Sequence, residues 1–375
     1  MKIKIKSMFA FMIFIGIFLI LLNILQFSSP SELKLLKEVN IPFQYEEWDY
    51  AYHSGHLILG DEDHKRIILY DKSGNIKWQW GPDLKRYGYN PSISSDGRIF
   101  IFQTCKELWE DERIHYYRDR KEIWNKEIGG DPTLSPDGNL IAVIANMETG
   151  DEGITLYNSQ GIKLWNKHRD IEWQNERIGF SYNNFILANK INLDTAFYIF
   201  DKEGNIVFSR KYAWGGISAG GKYIRLRRSL RSIKEQDIPE NELPKEGLYD
   251  IEGNFLMKDY GIFSKDGTSM LISDGVKIKI VGFPSQNVLK EYPIDLEGLR
   301  MSGNERLIFG YKRGVFHIID TKTDKISKYE IKGKMWHISY DGTSLLSKSS
   351  NENKIYFYKL NIGEIAHRDQ HKTDQ

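Results

Sequence analysis

Short apolar runs alternate with polar turns along most of this chain, and one turn recurs at nearly even spacing. It consists of an apolar residue, Ser, a variable residue, Asp or Asn, and usually Gly. Its copies are residues 93–97, 134–138, 180–184, 217–221, 263–267, 301–305 and 338–342, and their serines are 41, 46, 37, 46, 38 and 37 residues apart. A period near 40 residues with strand-like flanks predicts an all-β protein, a β-propeller.

A second turn lies out of phase with the first. Near copies of an Asp-x-x-Gly-Asn hairpin begin at Asp71, Asp201 and Asp250. Asp accepts hydrogen bonds from the N–H groups of a turn, and Gly adopts the positive φ that closes it. Four residues after this turn or its looser copies comes a large side chain: Trp78, Trp124, Trp165, Phe208 and, in the next copy, Met257. We expect these side chains to pack between neighbouring blades of four antiparallel strands.

The number of copies predicts eight blades, with seven as the alternative. A first copy with a degraded turn starts near Trp48, and the propeller is expected to cover residues 35–360, followed by a polar tail at 361–375. Residues 36–41 resemble 289–294, an outer strand, so a strand at 35–41 is expected to close the ring. The rival is closure by residues 364–367, with 33–43 as a stalk.

The N-terminus predicts a membrane anchor. Residues 8–27 are almost wholly apolar, long enough as a helix to cross a bilayer of about 30 Å, and follow a basic segment at 1–7. Positive charge stays on the cytoplasmic side, so residues 28–34 would link the helix to an extracytoplasmic propeller. The rival is a signal peptide whose cleavage releases a secreted protein, but no Ala-x-Ala pattern follows the apolar run.

Composition narrows the function classes further. Lys and Arg number 52 against 51 Asp and Glu, and three of the lysines precede the apolar run, so the body is mildly acidic. Binding of nucleic acid needs a strong basic field and is not expected. The single cysteine, Cys105, excludes an internal disulfide and is expected to be a small buried residue.

The repeats resemble those of a known superfamily. Residues 71–78, Asp-Lys-Ser-Gly-Asn-Ile-Lys-Trp, are similar to the quinoprotein-type propeller repeat, and residues 134–142 to the TolB-like, WD-repeat-like motif. The resemblance implies the fold and not one function, since such propellers include dehydrogenases, hydrolases, lyases and scaffolds. The adjacent cysteine pair of quinoprotein dehydrogenases is missing, and the Trp-Asp dipeptide occurs only at Trp48, in a different register.

Candidate ligand-binding residues follow from the usual site of a propeller, the entrance of its central channel. By register, Tyr50, Arg300 and His337 occupy equivalent inner-strand positions, and Trp48, Trp214 and Trp336 lie near the starts of inner strands. All of these except Trp48 are taken as candidate ligand contacts. A second candidate is an anion site at Arg225, Arg227 and Arg228, because arginine binds carboxylate, sulfate or phosphate through two hydrogen bonds. The alternatives are packing between blades for the first set and a solvated edge for the second.

No catalytic residues, metal ligands or cofactor are predicted. His53 and His56 lie near Asp61 and Asp63, but a zinc site needs three or four ligands in a tetrahedral array, and a solvated turn is the simpler interpretation. We therefore expect a membrane-anchored, monomeric, non-catalytic module that binds or scaffolds a protein or envelope polymer. The alternatives are a quinoprotein-like or sulfotransferase-like enzyme, and a propeller that binds glycans or anions.

Overall fold

The computed structural model describes residues 32–41, 47–61, 66–81, 86–106, 111–145, 153–167, 177–190, 196–218, 220–228, 239–240, 243–258, 261–264, 267–283 and 285–362. In these residues the chain forms eight four-stranded antiparallel sheets. The fold is thus an eight-bladed β-propeller, and the alternative of seven blades is wrong. The apolar segment at 8–27 and its basic flank lie outside the described residues, as does most of the polar tail.

Each blade is a meander that runs outward from the central channel. The first seven blades are β2–β5 (Glu47–Ala51, His56–Asp61, Arg66–Tyr70, Ile76–Trp80), β6–β9 (Tyr87–Ile93, Ile99–Cys105, Arg113–Arg118, Lys121–Glu127), β10–β13 (Asp131–Leu134, Leu140–Ala145, Gly153–Asn158, Lys163–Lys167), β14–β17 (Arg177–Phe180, Ile186–Lys190, Ala196–Phe200, Ile206–Lys211), β18–β21 (Ala213–Ile217, Tyr223–Arg228, Gly247–Asp250, Phe255–Met257), β22–β25 (Ile262–Phe263, Ser269–Ser273, Ile278–Gly282, Val288–Tyr292) and β26–β29 (Glu297–Met301, Leu307–Lys312, Val315–Asp320, Lys325–Tyr329). The eighth contains β30–β32 (Lys334–Ile338, Ser344–Lys348, Lys354–Asn361).

The outer strand of the eighth blade comes from the start of the described chain. Strand β1 (Glu32–Asn40) pairs antiparallel with β32, from Glu32 opposite Asn361 to Asn40 opposite Lys354. It begins three residues before the strand expected at 35–41. The rival residues 364–367 lie outside the described residues. Because the last blade takes its fourth strand from the first part of the chain, the two ends of the ring are held together by a complete sheet.

The recurring serine turn is held by a buried hydroxyl. Ser94 is 0% exposed; its hydroxyl donates to Asp96 Oδ1 over 2.6 Å and accepts from the backbone N–H of Ile99 over 3.0 Å. Gly97 closes the turn at φ 75°. The same pair of hydrogen bonds recurs at Ser135, Ser302 and Ser339. A buried hydroxyl that both donates and accepts a hydrogen bond is favourable. This explains why serine recurs at this position of the turn.

Two ends of the ring can be distinguished from the meander itself. The serine turns join the first and second strands of a blade, and the Asp-x-x-Gly hairpins join the third and fourth, so both lie at one end, called here the turn face. The connections between second and third strands and between blades lie at the other end, the loop face. Trp48 and Trp214 start their inner strands near the loop face.

The outer-strand tryptophans fix one blade to the next, as expected from the sequence. The indole N–H of Trp124 donates to the carbonyl of Ser159 in the following blade over 2.9 Å, and Trp165 donates to Lys202 over 2.8 Å. Trp78 packs between the first two blades, with its ring centroid 4.8 Å from that of Phe100. Cys105 is buried on β7, as expected from the sequence.

Candidate functional site

The inner strands present one equivalent position in every blade. Each of these residues is second to last in its inner strand by pairing register; they are Tyr50, Ser92, Thr133, Gly179, Gly216, Ile262, Arg300 and His337. The wall of the channel is uneven at this level. A Cβ atom added at Gly179 or Gly216 meets no atom within 4 Å, whereas Tyr50 on the far side of the ring is buried.

Four aromatic side chains meet where the first and last blades adjoin. The Trp48 ring lies 4.5 Å from Trp336 and 4.5 Å from His337, and Tyr50 stacks on His337 at 4.8 Å. We call Trp48, Tyr50, Trp336 and His337 the aromatic cluster. Tyr50 belongs to the apolar core between these blades, against which Trp336 packs, while Trp48 remains 37% exposed. The structure thus brings together three of the five predicted residues and adds Trp48.

Burial keeps the polar members of the cluster uncharged. It lowers the pKa of His337 to about 3, helped by the positive charge of Arg300, and it raises the pKa of the Tyr50 phenol. His337 Nε2 and Tyr50 Oη are buried and have no hydrogen-bond partner among the described residues. Each such atom costs about 1–3 kcal/mol in desolvation, so internal waters at these two atoms are expected.

The other two predicted channel residues are not members of the cluster. Arg300 is exposed on the seventh blade, and its guanidinium donates to the carbonyl of Leu299 over 3.1 Å. Trp214 starts the inner strand of the fifth blade, across the ring from Trp48, and is also 37% exposed. Its role as a ligand contact stays a prediction.

The arginine cluster divides into two parts. Arg228 is bound to the insertion that follows β19: its Nη1 donates to Glu240 Oε1 over 2.7 Å and its Nε to the carbonyl of Pro244 over 2.9 Å. Arg225 and Arg227 alternate along β19 opposite Gly216 and Trp214. The two therefore share one face of the fifth blade, beside the exposed indole, while Arg228 has a structural role in holding the insertion.

Sequence reasoning missed a hydrogen-bonded chain that links the inner strands of three blades. Asp49 Oδ2 accepts from Ser92 Oγ over 2.9 Å and from the N–H of Ile93 over 2.7 Å, and Ser92 Oγ accepts from the N–H of Leu134 over 3.1 Å. Burial raises the pKa of Asp49, which these hydrogen bonds oppose. A lone acidic residue beside a tryptophan gave no signal of this role in the sequence.

A second missed group lies at the turn face. His53, Tyr182 and Tyr340 occupy the variable position of their serine turns or its equivalent, and Tyr52 precedes His53. Their rings contact one another, with centroids 4.7 Å apart for His53 and Tyr340 and 5.9 Å for His53 and Tyr182. Because the first and fourth blades meet through these rings, the aromatic side chains narrow the channel at this end. The aromatic residues at the variable position of the repeat could have indicated this contact from the sequence.

Of the remaining sequence candidates for chemistry, Asp63 lies outside the described residues, and His56 Nδ1 is buried without a hydrogen-bond partner among them. Among the described residues, no group of three or more His, Cys, Asp or Glu side chains is placed to hold a metal ion. Burial lowers the pKa of His56. No helix in the described part of the chain is long and apolar enough to cross a membrane.

Comparisons with known proteins agree on the fold alone. No protein-family model matches the chain, and neither does any curated protein. Among solved structures, a eukaryotic initiation factor is similar with a TM-score of 0.53 at 13% identity, covering 87% of this chain and 90% of that one. The β-propeller domain of Cps50 (Swd1) from Myceliophteria thermophila gives 0.45 at 10% identity, covering 88% of this chain and 100% of that one. At 13% identity the likeness to the initiation factor concerns the fold alone and says nothing about ligands.

Proposed function

We propose that the protein is a non-catalytic scaffold that binds a protein or envelope polymer at the loop-face entrance of its channel. The observation that carries the proposal is the exposure of Trp48 within the aromatic cluster. A tryptophan that keeps 37% of its surface in water, while its neighbours hold it in one orientation, is a suitable anchor for a partner. Its rigid surroundings lower the entropy lost on binding.

The experiment compares single variants of the full chain. Trp48→Ala should weaken capture of a partner by at least tenfold, because truncation of an interface tryptophan commonly costs more than about 2 kcal/mol. Trp214→Ala is the matched control, since the two indoles are equally exposed on inner strands of different blades. Capture that is saturable with the wild type and unchanged by Trp48→Ala would refute this site.

A second candidate is binding of an acidic glycan or another anion at the fifth blade. The specific observation is that Arg227, exposed on β19, lies opposite the exposed Trp214. Guanidinium groups bind carboxylate and sulfate, and an indole offers a flat apolar surface. In this experiment Trp48→Ala is the control and should still bind an acidic-glycan array. The variants Trp214→Ala and Arg227→Ala should no longer bind it.

The membrane location is part of the proposal. It rests on the apolar composition of residues 8–27 behind three lysines, which favours an uncleaved anchor with the propeller outside the cytoplasm. Protease added to intact cells should remove an epitope placed at the C-terminus, and the protein should resist extraction at alkaline pH. Release of a shortened protein into the medium would support the alternative, a cleaved signal peptide.

We also propose that the repeats are related to those of quinoprotein-like and TolB-like propellers, because of the motifs at residues 71–78 and 134–142. An enzyme of the quinoprotein-like or sulfotransferase-like type is the alternative to a scaffold. Incubation with pyrroloquinoline quinone and calcium tests the first type. Saturable binding of the quinone, with alcohol oxidation, would replace the scaffold proposal by an enzymatic one.

A further inference from the structure

The described chain joins the propeller at one corner of the ring. Strand β1 begins at Glu32, opposite Asn361 at the end of β32. As the third strand of its blade, β32 runs from the loop face to the turn face, so the antiparallel β1 starts at the turn face. It is also the outermost strand of the eighth blade. The residues that precede Glu32 therefore approach the ring at the turn-face rim of this blade.

The tether between this rim and the apolar run at 8–27 is short. Only residues 28–31 separate the end of that run from Glu32, and such a segment reaches at most about 18 Å when fully extended. The eight residues of β32 rise about 26 Å from the loop face to the turn face. With the loop face against a membrane, Glu32 would stand about 26 Å above it, farther than the tether reaches. The tether therefore excludes the loop face, and permits the turn-face rim, as the side that rests on the membrane.

Exposed lysines from two blades surround this rim. Lys34 on β1 lies directly opposite Lys359 on β32, and both are exposed. Lys359 pairs in turn with Ser344 on β31. A Cβ atom built on Gly55 would lie 3.5 Å from that of Ser344 and 3.0 Å from that of Lys72, which places the exposed Lys72 of the first blade beside the same rim. Like charges opposite each other in a sheet repel, so an anion bound between them is stabilising.

The net charge around this rim is positive among the described residues. In the eighth blade and its two neighbours, two turn-face carboxylates form ion pairs, Asp320 with Arg306 over 3.1 Å and Asp324 with Lys290 over 2.8 Å. The other turn-face charges of these blades are seven lysines and four carboxylates: Lys34, Lys37, Lys72, Lys77, Lys322, Lys325 and Lys359 against Glu32, Asp71, Glu305 and Asp341. The excess of lysine favours contact with an anionic surface.

Two exposed apolar side chains accompany the lysines. Leu35 and Leu36 follow Lys34 on β1, and each is 37% exposed. The pairing register of β1 shifts between Leu35 and Lys37, so Leu36 is the extra residue of a bulge on the outermost strand. Leucine next to lysine suits the boundary of a bilayer, where apolar side chains reach the acyl region and ammonium groups lie among the phosphates.

We propose that the turn-face corner formed by Lys34, Leu35, Leu36, Lys72 and Lys359, called here the lysine corner, rests on the membrane and binds anionic lipid headgroups. The inference depends on the membrane anchor at 8–27 that is part of the proposed function. Its consequence is a fixed orientation: the loop face, with the aromatic cluster, points away from the bilayer. The candidate binding surface is then open to a partner in the extracytoplasmic space.

Fluorescence quenching in vesicles tests the orientation. The full chain carries Cys105→Ala, so that one introduced cysteine can be labelled with an environment-sensitive fluorophore. Leu36→Cys places the label on the lysine corner, and Lys334→Cys places it at an exposed loop-face position of the same blade. In vesicles of phosphatidylcholine and phosphatidylglycerol, a lipid with a spin-labelled headgroup should quench the label at position 36 and leave that at 334 unquenched. Lys72→Cys is the second corner variant if Leu36→Cys unfolds the protein.

A charge variant tests the lipid contact itself. Lys34→Gln with Lys359→Gln removes the opposed lysine pair and should reduce quenching at the corner in vesicles that contain phosphatidylglycerol. The matched control, Lys312→Gln with Lys334→Gln, removes two exposed lysines at the loop face and should leave that quenching unchanged. Equal effects of the two double variants would refute the lysine contact.

Vesicle flotation separates the orientation from the anchor. Protein that floats with the vesicles but is quenched equally at positions 36 and 334, or more strongly at 334, would overturn the orientation and leave the anchor standing. Protein that does not float would refute the anchor, and the orientation with it. Flotation together with quenching confined to the corner is the result expected.

Discussion

The phenol ring of Tyr50 stacks on the imidazole of His337, with centroids 4.8 Å apart and planes inclined by 20°. Tyr50 lies on the first blade and His337 on the last, so this contact crosses the seam at which the ring is closed. The His337 ring also contacts the rings of Trp48 and Trp336. Ring closure and the candidate binding surface therefore depend on the same side chains, and each can be tested through the other.

Protonation of His337 is expected to open this seam. Its pKa is lowered from 6.5 to about 3 in the folded protein, so between these values the unfolded chain binds a proton that the folded chain does not. Stability therefore falls as the pH drops through this window, by about 1.4 kcal/mol per pH unit for this group. Urea unfolding at pH 7, 6, 5 and 4 measures the slope.

His337→Phe is the matched variant, because it keeps a stacked ring and removes the titrating group. Below pH 6 its free energy of unfolding should depend less on pH than that of the wild type. Near neutral pH the difference in free energy of unfolding between the two proteins should be constant. Parallel curves for the two proteins would show that His337 titrates normally in the folded state. His56 and His115 have pKa values lowered by burial as well and contribute equally to both curves.

Asp49 is expected to be a structural residue of the inner ring. It accepts from Ser92 Oγ and from the N–H of Ile93, so Asp49→Ala leaves buried donors without partners and should cost about 2–3 kcal/mol of the free energy of unfolding. Asp49→Asn keeps one acceptor oxygen for Ser92 and Ile93, but its NH2 group would face the N–H of Tyr50, which donates to Asp49 Oδ1 over 2.8 Å, so its cost should be smaller than that of Asp49→Ala but measurable. Equal losses for the two variants in urea unfolding would contradict this role.

Trp124 is expected to stabilise the ring through packing and one hydrogen bond. Trp124→Phe keeps a ring stacked on Tyr116 but loses the donor to Ser159, which should cost about 1 kcal/mol. Trp124→Ala also removes the packing and should cost about 3–5 kcal/mol. Chemical unfolding distinguishes the two. If the phenylalanine variant lost as much as the alanine variant, the hydrogen bond and not the packing would dominate at this seam.

The sequence allowed the fold to be predicted because the serine turn is local. Ser94, Asp96 and Gly97 satisfy one another within a few residues, so the same letters must recur wherever the same turn does. The number of blades and the strand order follow from counting these turns. The positions of outer-strand residues such as Trp78 could be predicted equally well, because strand pairing fixes their spacing from the hairpin.

The site was less predictable, because its contacts join distant parts of the chain. The register placed Tyr50 and His337 at the same level of the channel, but which side chains touch depends on ring closure, which brings Trp48 within 4.5 Å of Trp336. Asp49 gives no local signal either, because its partner Ser92 lies 43 residues away, across the seam between the first and second blades. No local pattern marks a contact of this kind.

Removal of β1 is expected to destabilise the whole propeller. Deleting residues 1–40 exposes the edge of β32, which β1 covers along its length, and removes Val39 and Leu33 from two interblade clusters. It also removes Glu38, which pairs with Lys332 and Lys354 at 3.0 Å and 3.1 Å. The melting temperature should fall by more than about 5 °C, since a loss of a few kcal/mol shifts a protein of this size by several degrees. Deleting only residues 1–31 leaves β1 in place and is the matched control. A melting temperature that is the same for both truncations would show that the ring closes without this strand.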